Sequence, residues 1–148
     1  MEYILADKDA PCFICEAAAS RDDRKTLVAA RGKTALVILN RFPYSNGHLL
    51  VAPMRHVEAI EKLDGEEMSE IMSLVVDFKL KLDRIMQPQG YNLGLNLGKA
   101  SGAGLEEHLH VHIVPRWTGD TNFMAVLGEA KIIPQHLEDT WEKLVEEP

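Results

Sequence analysis

Three of the chain's six histidines, His108, His110 and His112, stand at alternate positions. Leu109 and Val111 lie between them, and Ile113, Val114 and Pro115 follow. Imidazole is the side chain whose ordinary pKa lies nearest neutrality, so this cluster suits proton transfer, metal binding or nucleophilic attack. On a helix, steps of two residues advance about 200° and would scatter the rings. On a β-strand they put all three on one face. The spacing therefore predicts a strand with three imidazoles in a row and Leu109, Val111 and Ile113 turned to the core. Pro115 is expected to end it, because proline cannot donate to a sheet ladder. At about 3.4 Å per residue the outer Cα atoms lie roughly 13 Å apart. Zinc–nitrogen bonds of about 2.0 Å cannot gather all three rings around one ion at that spacing. An extended anion such as a polyphosphate, meeting each ring at a different point, fits the row better.

Two further clusters carry chemistry. The run Gly98-Lys99-Ala100-Ser101-Gly102-Ala103-Gly104 precedes the histidines. Its glycines let backbone N–H groups approach phosphate oxygens without a Cβ in the way, with Lys99 and Ser101 at hand. It is not a Walker loop, since no Gly-Lys-Ser/Thr opens a helix. Near the N-terminus stands Cys12-Phe13-Ile14-Cys15. A cytosolic setting keeps such a pair reduced, so a metal knuckle or redox pair is expected ahead of a structural disulfide. A closed zinc site would require two more ligands.

The elements that must hold these groups are legible in outline. Thr34–Asn40 and His48–Ala52 read as strands, joined through Pro43 and Asn46-Gly47 as a hairpin with a long connection. From Asp64-Gly65 onward, Met68, Ile71, Met72, Val75, Phe78, Leu82, Ile85 and Met86 recur at helical spacing until Pro88, and this stripe is expected to be core. Tyr91–Leu97 reads as a strand that pairs with the histidine segment across the Gly98–Glu107 loop. Pro134 to Glu147 reads as a short amphipathic helix that includes His136. Strands in hairpins with single intervening helices predict an α+β fold on a mostly antiparallel sheet, with a long central helix and a C-terminal helix.

Bulk properties narrow the function. The 148 residues suit a single domain over 1–148, 46% hydrophobic and 26% charged, as in ordinary globular proteins. A net charge of −7 argues against broad nucleic-acid binding. No apolar run approaches the ~18 residues of a membrane helix, and the N-terminus lacks a basic leader, so a cytoplasmic protein is expected.

The run His108-Leu109-His110-Val111-His112-Ile113-Val114 resembles the signature of the histidine triad (HIT) superfamily of nucleotidyl hydrolases and transferases. The stretch 39–57 resembles that family's N-terminal hairpin, and 114–123 its continuation after the triad. The Cys12–Cys15 motif resembles the zinc knuckle of many bacterial members, here over about 11–20, so the likeness spans roughly 11–145. The Val114-Pro115-Arg116-Trp117 continuation is similar to the branch of Fhit-type dinucleoside polyphosphate hydrolases and bacterial diadenosine tetraphosphate phosphorylases.

The resemblance implies a HIT-like fold and cleavage of a diadenosine tri- or tetraphosphate at the α-phosphorus through a covalent nucleotidyl-histidine. It implies His110 as nucleophile. His112 would bind phosphate oxygens and handle charge on the transferring or leaving group, His108 would buttress the row or bind zinc, and His48 would lie beside the α-phosphate. Asn40 matches a nucleoside-contacting asparagine. Asn96 matches a phosphate-side amide, with Ser101 and Gly104 as further substrate contacts. Cys12, Cys15, His56 and His108 would bind a structural zinc, magnesium would accompany the polyphosphate, and the protein would be a homodimer with a nucleotide substrate and neither nucleic-acid nor membrane partner. The competing readings are a nucleoside phosphoramidase, an adenylyl-sulfate-cleaving enzyme, and a nucleotide-binding signalling module with incidental turnover.

Overall fold

The computed structural model describes residues 12–101, 108–120 and 136–147. Five antiparallel strands form one sheet: β1 (Val28–Arg31), β2 (Ala35–Leu39), β3 (Leu49–Pro53), β4 (Gly90–Leu95) and β5 (Val111–Arg116). Their spatial order is β1-β2-β3-β5-β4. The predicted hairpin pairs from Ala35↔Pro53 to Leu39↔Leu49, and β4 pairs with β5 from Gly90↔Arg116 to Leu95↔Val111. β2 and β3 are buried at every position because both faces of the sheet are covered.

One face packs on the long helix. Helix α3 (Gly65–Met86) follows α1 (Phe13–Ala19) and α2 (Asp23–Thr26). It starts at a reciprocal capping box between Asp64 and Glu67 and ends at Gln87, in the left-handed region just before Pro88. Ile71, Val75, Phe78 and Leu82 of α3 meet Val37, Leu39, Leu49, Val51 and Ile113 of the sheet. Helix α4 (Leu137–Glu146) completes this core with Leu144 and sends its Trp141 indole N–H to Val28 O, 2.8 Å away. Gly47 packs so closely against this layer that a Cβ there would sit 2.7 Å from Met86 Sδ, and its φ of 72° is in the left-handed region.

The other face receives α1 at one end. Ile14 and Ala17 pack on Val28, Leu36, Ile38 and Ala52. Arg31 at the end of β1 clamps the helix's carbonyl end, donating to Ala17 O at 2.7 Å, Ala18 O at 3.0 Å and Ser20 O at 3.0 Å while paired with Asp23. The cysteines lie at the opposite, N-terminal end of α1, which is thereby held at a fixed height above the sheet.

Several expectations are corrected. β5 begins at Val111, so His108–His110 lead into the strand instead of lying in it. Pro115 is inside β5, opposite Tyr91, because β3 pairs with β5 only as far as Ile113 and leaves no rung for its missing N–H. Met68 and Met72 are not core. They are 42% and 56% exposed and, with Val76 and Leu80, form a second stripe on α3 at i, i+4 spacing. His136 is the exposed cap preceding α4, not a residue within it. β1, α1 and α2 were not foreseen.

Candidate active site and metal cluster

His108, His110 and His112 are all buried, at 0%, 8% and 9% exposure. Each ring has one nitrogen committed to a defined partner, which decides what the other nitrogen offers. His110 Nδ1 lies 2.7 Å from His108 O. A carbonyl only accepts, so Nδ1 carries the proton and Nε2 holds the lone pair. Burial outweighs that backbone hydrogen bond, which raises the pKa, and lowers the His110 pKa, favouring the neutral ring a nucleophile requires.

His112 is arranged in the opposite sense. It sits on β5 between Leu50 of β3 and Gly94 of β4. His48, just ahead of β3 and fully buried, places Nε2 at 2.9 Å from His112 Nδ1. The Tyr44 backbone N–H donates to His48 Nδ1 at 3.0 Å, so the His48 proton is on Nε2 and is donated to His112. His112 therefore carries its proton on Nε2, a buried atom with no hydrogen-bond partner among the described residues. Burial first, and then the neighbouring His110, drive the His112 pKa down to about 4. The rings of His110 and His112 meet edge to face at 4.8 Å, and the Tyr44 ring lies 4.8 Å from His48 and 6.0 Å from His112. A lone pair and an N–H thus stand side by side in a buried site, suiting attack on phosphorus and donation to a phosphate oxygen.

His108 belongs to a different cluster. Its Nε2–H donates to Pro53 O at 2.9 Å, leaving the Nδ1 lone pair 3.2 Å from Cys12 Sγ and 3.5 Å from Cys15 Sγ. His56 Nδ1 lies 3.2 Å from Cys15 Sγ. The four ligand atoms all fall within 4.8 Å of one another and could hold a metal ion. Burial, and then the neighbouring Cys12, raise the Cys15 thiol to about 11. The loop bearing His56 is anchored on both sides. Arg55 makes a two-pronged ion pair with Glu67 at the start of α3, at 2.5 and 2.8 Å, and Val57 O accepts the Leu109 N–H at 2.7 Å.

The remaining sequence candidates fall as follows. Asn40 lies beside the site, its Nδ2 3.3 Å from His48 Nδ1. Asn96 follows Leu95, the last residue of β4, which pairs with Val111 next to His110. The Ser101 hydroxyl donates to Gly98 O at 2.7 Å inside a short turn. Gly104 lies outside the described residues. Tyr44 and Pro53, which fix two of the tautomers, were missed because they act through the backbone. The only sequence signal was the position of Tyr44 in the turn ahead of Gly47-His48.

A buried imidazole pair of complementary tautomers on a five-stranded antiparallel sheet, backed by one long helix, defines the class. The HIT domain model matches residues 22–119, and the chain belongs to the HIT family. It is 47% identical over 118 residues to the AP-4-A phosphorylase of Mycobacterium tuberculosis, a match over 80% of this chain. The chain spans about 60% of that relative's length. In fold it resembles a hypothetical histidine triad nucleotide-binding protein from Sulfolobus tokodaii, with a TM-score of 0.72 and 25% identity over 92% of this chain and 91% of that one. It also resembles a zinc-bound histidine triad family protein from Mycobacterium smegmatis, with a TM-score of 0.71 and 21% identity over 90% of each chain.

Proposed function

We propose that the chain cleaves diadenosine tetraphosphate by phosphorolysis through a covalent nucleotidyl-His110. The observation that carries this reading is the His112 Nε2–H, buried and without a partner among the described residues, beside a His110 ring whose lone pair is set on Nε2. A buried donor left unsatisfied is costly, and an anionic phosphate oxygen is the acceptor that relieves it. His110 Nε2 forms a bond to the α-phosphorus, the bridging P–O bond breaks, and ATP leaves. Inorganic phosphate then attacks the same phosphorus, releases the ring and gives ADP. The likeness to an AP-4-A phosphorylase supports phosphate over water as the second nucleophile. Asn96, Ser101 and Gly104 supply further substrate contacts, and magnesium arrives with the polyphosphate.

The test is incubation with diadenosine tetraphosphate with and without labelled inorganic phosphate. Phosphorolysis gives ATP plus ADP carrying the label, and only when phosphate is present. AMP plus ATP in its absence would make the chain a hydrolase. Cleavage that survives His110→Asn would refute the covalent route.

The metal in the cysteine cluster is proposed to be zinc, bound by Cys12, Cys15, His56 and His108. Tetrahedral zinc, with bonds of about 2.3 Å to sulfur and about 2.0–2.1 Å to nitrogen, sets sulfur–nitrogen edges near 3.5 Å. Three sulfur–nitrogen separations of 3.2–3.5 Å are close to that edge, all four donors lie within 4.8 Å of one another, and the Pro53 carbonyl supplies the outer-shell partner that orients a metal-bound histidine. The ion would tie α1 to the sheet and take no part in the reaction. A second copy of the chain is the proposed partner. It would cover the α3 stripe of Met68, Met72, Val76 and Leu80 and the exposed edge strand β4, whose Leu93 is 52% exposed. Light scattering then gives about twice the 16.6 kDa chain mass, and a monomeric mass would exclude it.

A further inference from the structure

We propose that Asn40 is a positioning residue that sets the direction of the proton along the His48–His112 pair, so that His112 presents an N–H to the substrate. The inference rests on the function proposed for this site and gives Asn40 a role distinct from the nucleoside contact implied by the resemblance.

The geometry leaves one consistent arrangement. Asn40 Oδ1 accepts the Phe42 backbone N–H at 3.0 Å, which fixes the amide with its NH₂ group turned the other way. That group meets His48 Nδ1 at 3.3 Å, and the Tyr44 N–H meets the same nitrogen at 3.0 Å. Two donors converge on Nδ1, so a proton there would face both of them. The His48 proton is therefore on Nε2, 2.9 Å from His112 Nδ1, and His112 keeps its own on Nε2. Reversing the pair would aim a lone pair at the incoming phosphate oxygens. Nothing in His48 or His112 alone makes this choice, because either imidazole can exist as either tautomer. The choice comes from two donors that share His48 Nδ1, the Tyr44 backbone N–H and the Asn40 amide, the latter oriented by the Phe42 N–H.

Asn40→Asp reverses the sign of the group facing His48 Nδ1, since a carboxylate accepts and cannot donate. Asn40→Ala leaves the Tyr44 N–H as the remaining donor of the two. The direct readout is the nitrogen-15 spectrum of the imidazoles in the substrate-free protein, where protonated and unprotonated ring nitrogens resonate far apart. In the natural protein, Nδ1 of both His48 and His112 is expected to be unprotonated. In Asn40→Asp, His48 Nδ1 gains a proton, and in Asn40→Ala its resonance moves part of the way. With diadenosine tetraphosphate, Asn40→Asp lowers kcat by about 10²-fold, the size of losing one hydrogen-bond donor to the developing charge, while KM stays within about threefold.

A protonated His48 Nδ1 in the natural protein overturns the proposal. So do unchanged imidazole spectra in both variants, or a loss confined to KM, which is the mark of a nucleoside contact. Amide-spectrum dispersion shows that each variant is folded. The tautomer measurement requires no substrate, so a chain that fails to cleave the dinucleotide would defeat the proposed function and leave this result to be decided separately.

Discussion

Two ends of one short segment use the same side chain in opposite ways. At His108 the ring gives its Nε2–H to a backbone carbonyl and offers the Nδ1 lone pair to two sulfurs. Two residues on, His110 gives its Nδ1–H to a backbone carbonyl and offers Nε2. The second carbonyl is that of His108 itself, so the proposed metal ligand also orients the proposed nucleophile. Imidazole chemistry here is decided by which nitrogen the main chain occupies and not by residue type. Where no carbonyl is used, as at His112, another histidine and the Asn40–Tyr44 turn do the same work.

The sharpest way to break this comparison is His110→Asn. Removing the nucleophile is expected to lower kcat by about 10⁴-fold or more, as for other covalent catalysts. Metal content measured by native mass spectrometry should not change. A variant that loses its metal as well would show that the two ends are one unit. Next in size is His112→Ala, expected to cost about 10²-fold in kcat. An adenylate ester with a nitrophenolate leaving group, which spreads its charge over the ring and depends less on a hydrogen-bond donor, should lose less than the dinucleotide does. Equal losses on both substrates would confine His112 to binding the transferred phosphate.

Cys12→Ser probes the other end. Serine remains a good helix cap, so the change spares the cap that Cys12 makes to the Cys15 N–H and removes the thiolate. The metal should be lost and Tm should fall by several degrees. The fall in kcat should stay below about tenfold, because the Leu109 N–H still holds this backbone to Val57 O. A loss as deep as that of His110→Asn would mean that the metal positions the nucleophile directly.

These distinctions mark where the sequence stops being legible. The β2–β3 hairpin and α3 could be read because Ala35–Leu39 is aliphatic throughout and α3 repeats at helical spacing between a capping box and Pro88. β1 was missed because Val-Ala-Ala-Arg has little strand propensity of its own and exists by pairing with β2. Met68 and Met72 read as core but are exposed, because periodicity gives an amphipathic face but not what covers it. Alternation predicts a strand for the whole triad, of which only His112 lies in β5, and the resemblance suggests its roles. The nitrogen each ring offers depends on Pro53 O, His108 O and Tyr44 N, which leave no trace in side-chain identity. The pairing of His108 with Cys12 spans 96 residues and carries no local pattern.

The smallest expected effect serves as the control for all of these. Glu70 of α3 accepts hydrogen bonds from Lys33 N at 2.7 Å, Thr34 N at 2.5 Å, Thr34 Oγ1 at 2.6 Å and Ala35 N at 2.8 Å, closing the β1–β2 turn onto the helix. The Thr34 hydroxyl first, and then the backbone donors, hold its pKa at about 2 against an ordinary 4.5. A depressed folded-state pKa means the unfolded chain binds the proton more readily, so this contribution is complete above about pH 4.5 and is lost as pH falls toward 2. Glu70→Gln puts an NH₂ against N–H donors. Discounted for partial exposure, it should cost about 1 kcal/mol, or a Tm drop of roughly 3 °C at pH 7. The gap between natural and variant protein should then narrow on acidification from pH 4.5 toward 2, because protonation removes in the natural protein what the substitution has already removed. At pH 7 kcat and metal content should match the natural protein, since Glu70 touches neither histidine environment. A fall in kcat at constant metal content would show that the β1–β2 turn transmits to the triad through β2 and β3, and that the catalytic end depends on more of the sheet than the metal end does.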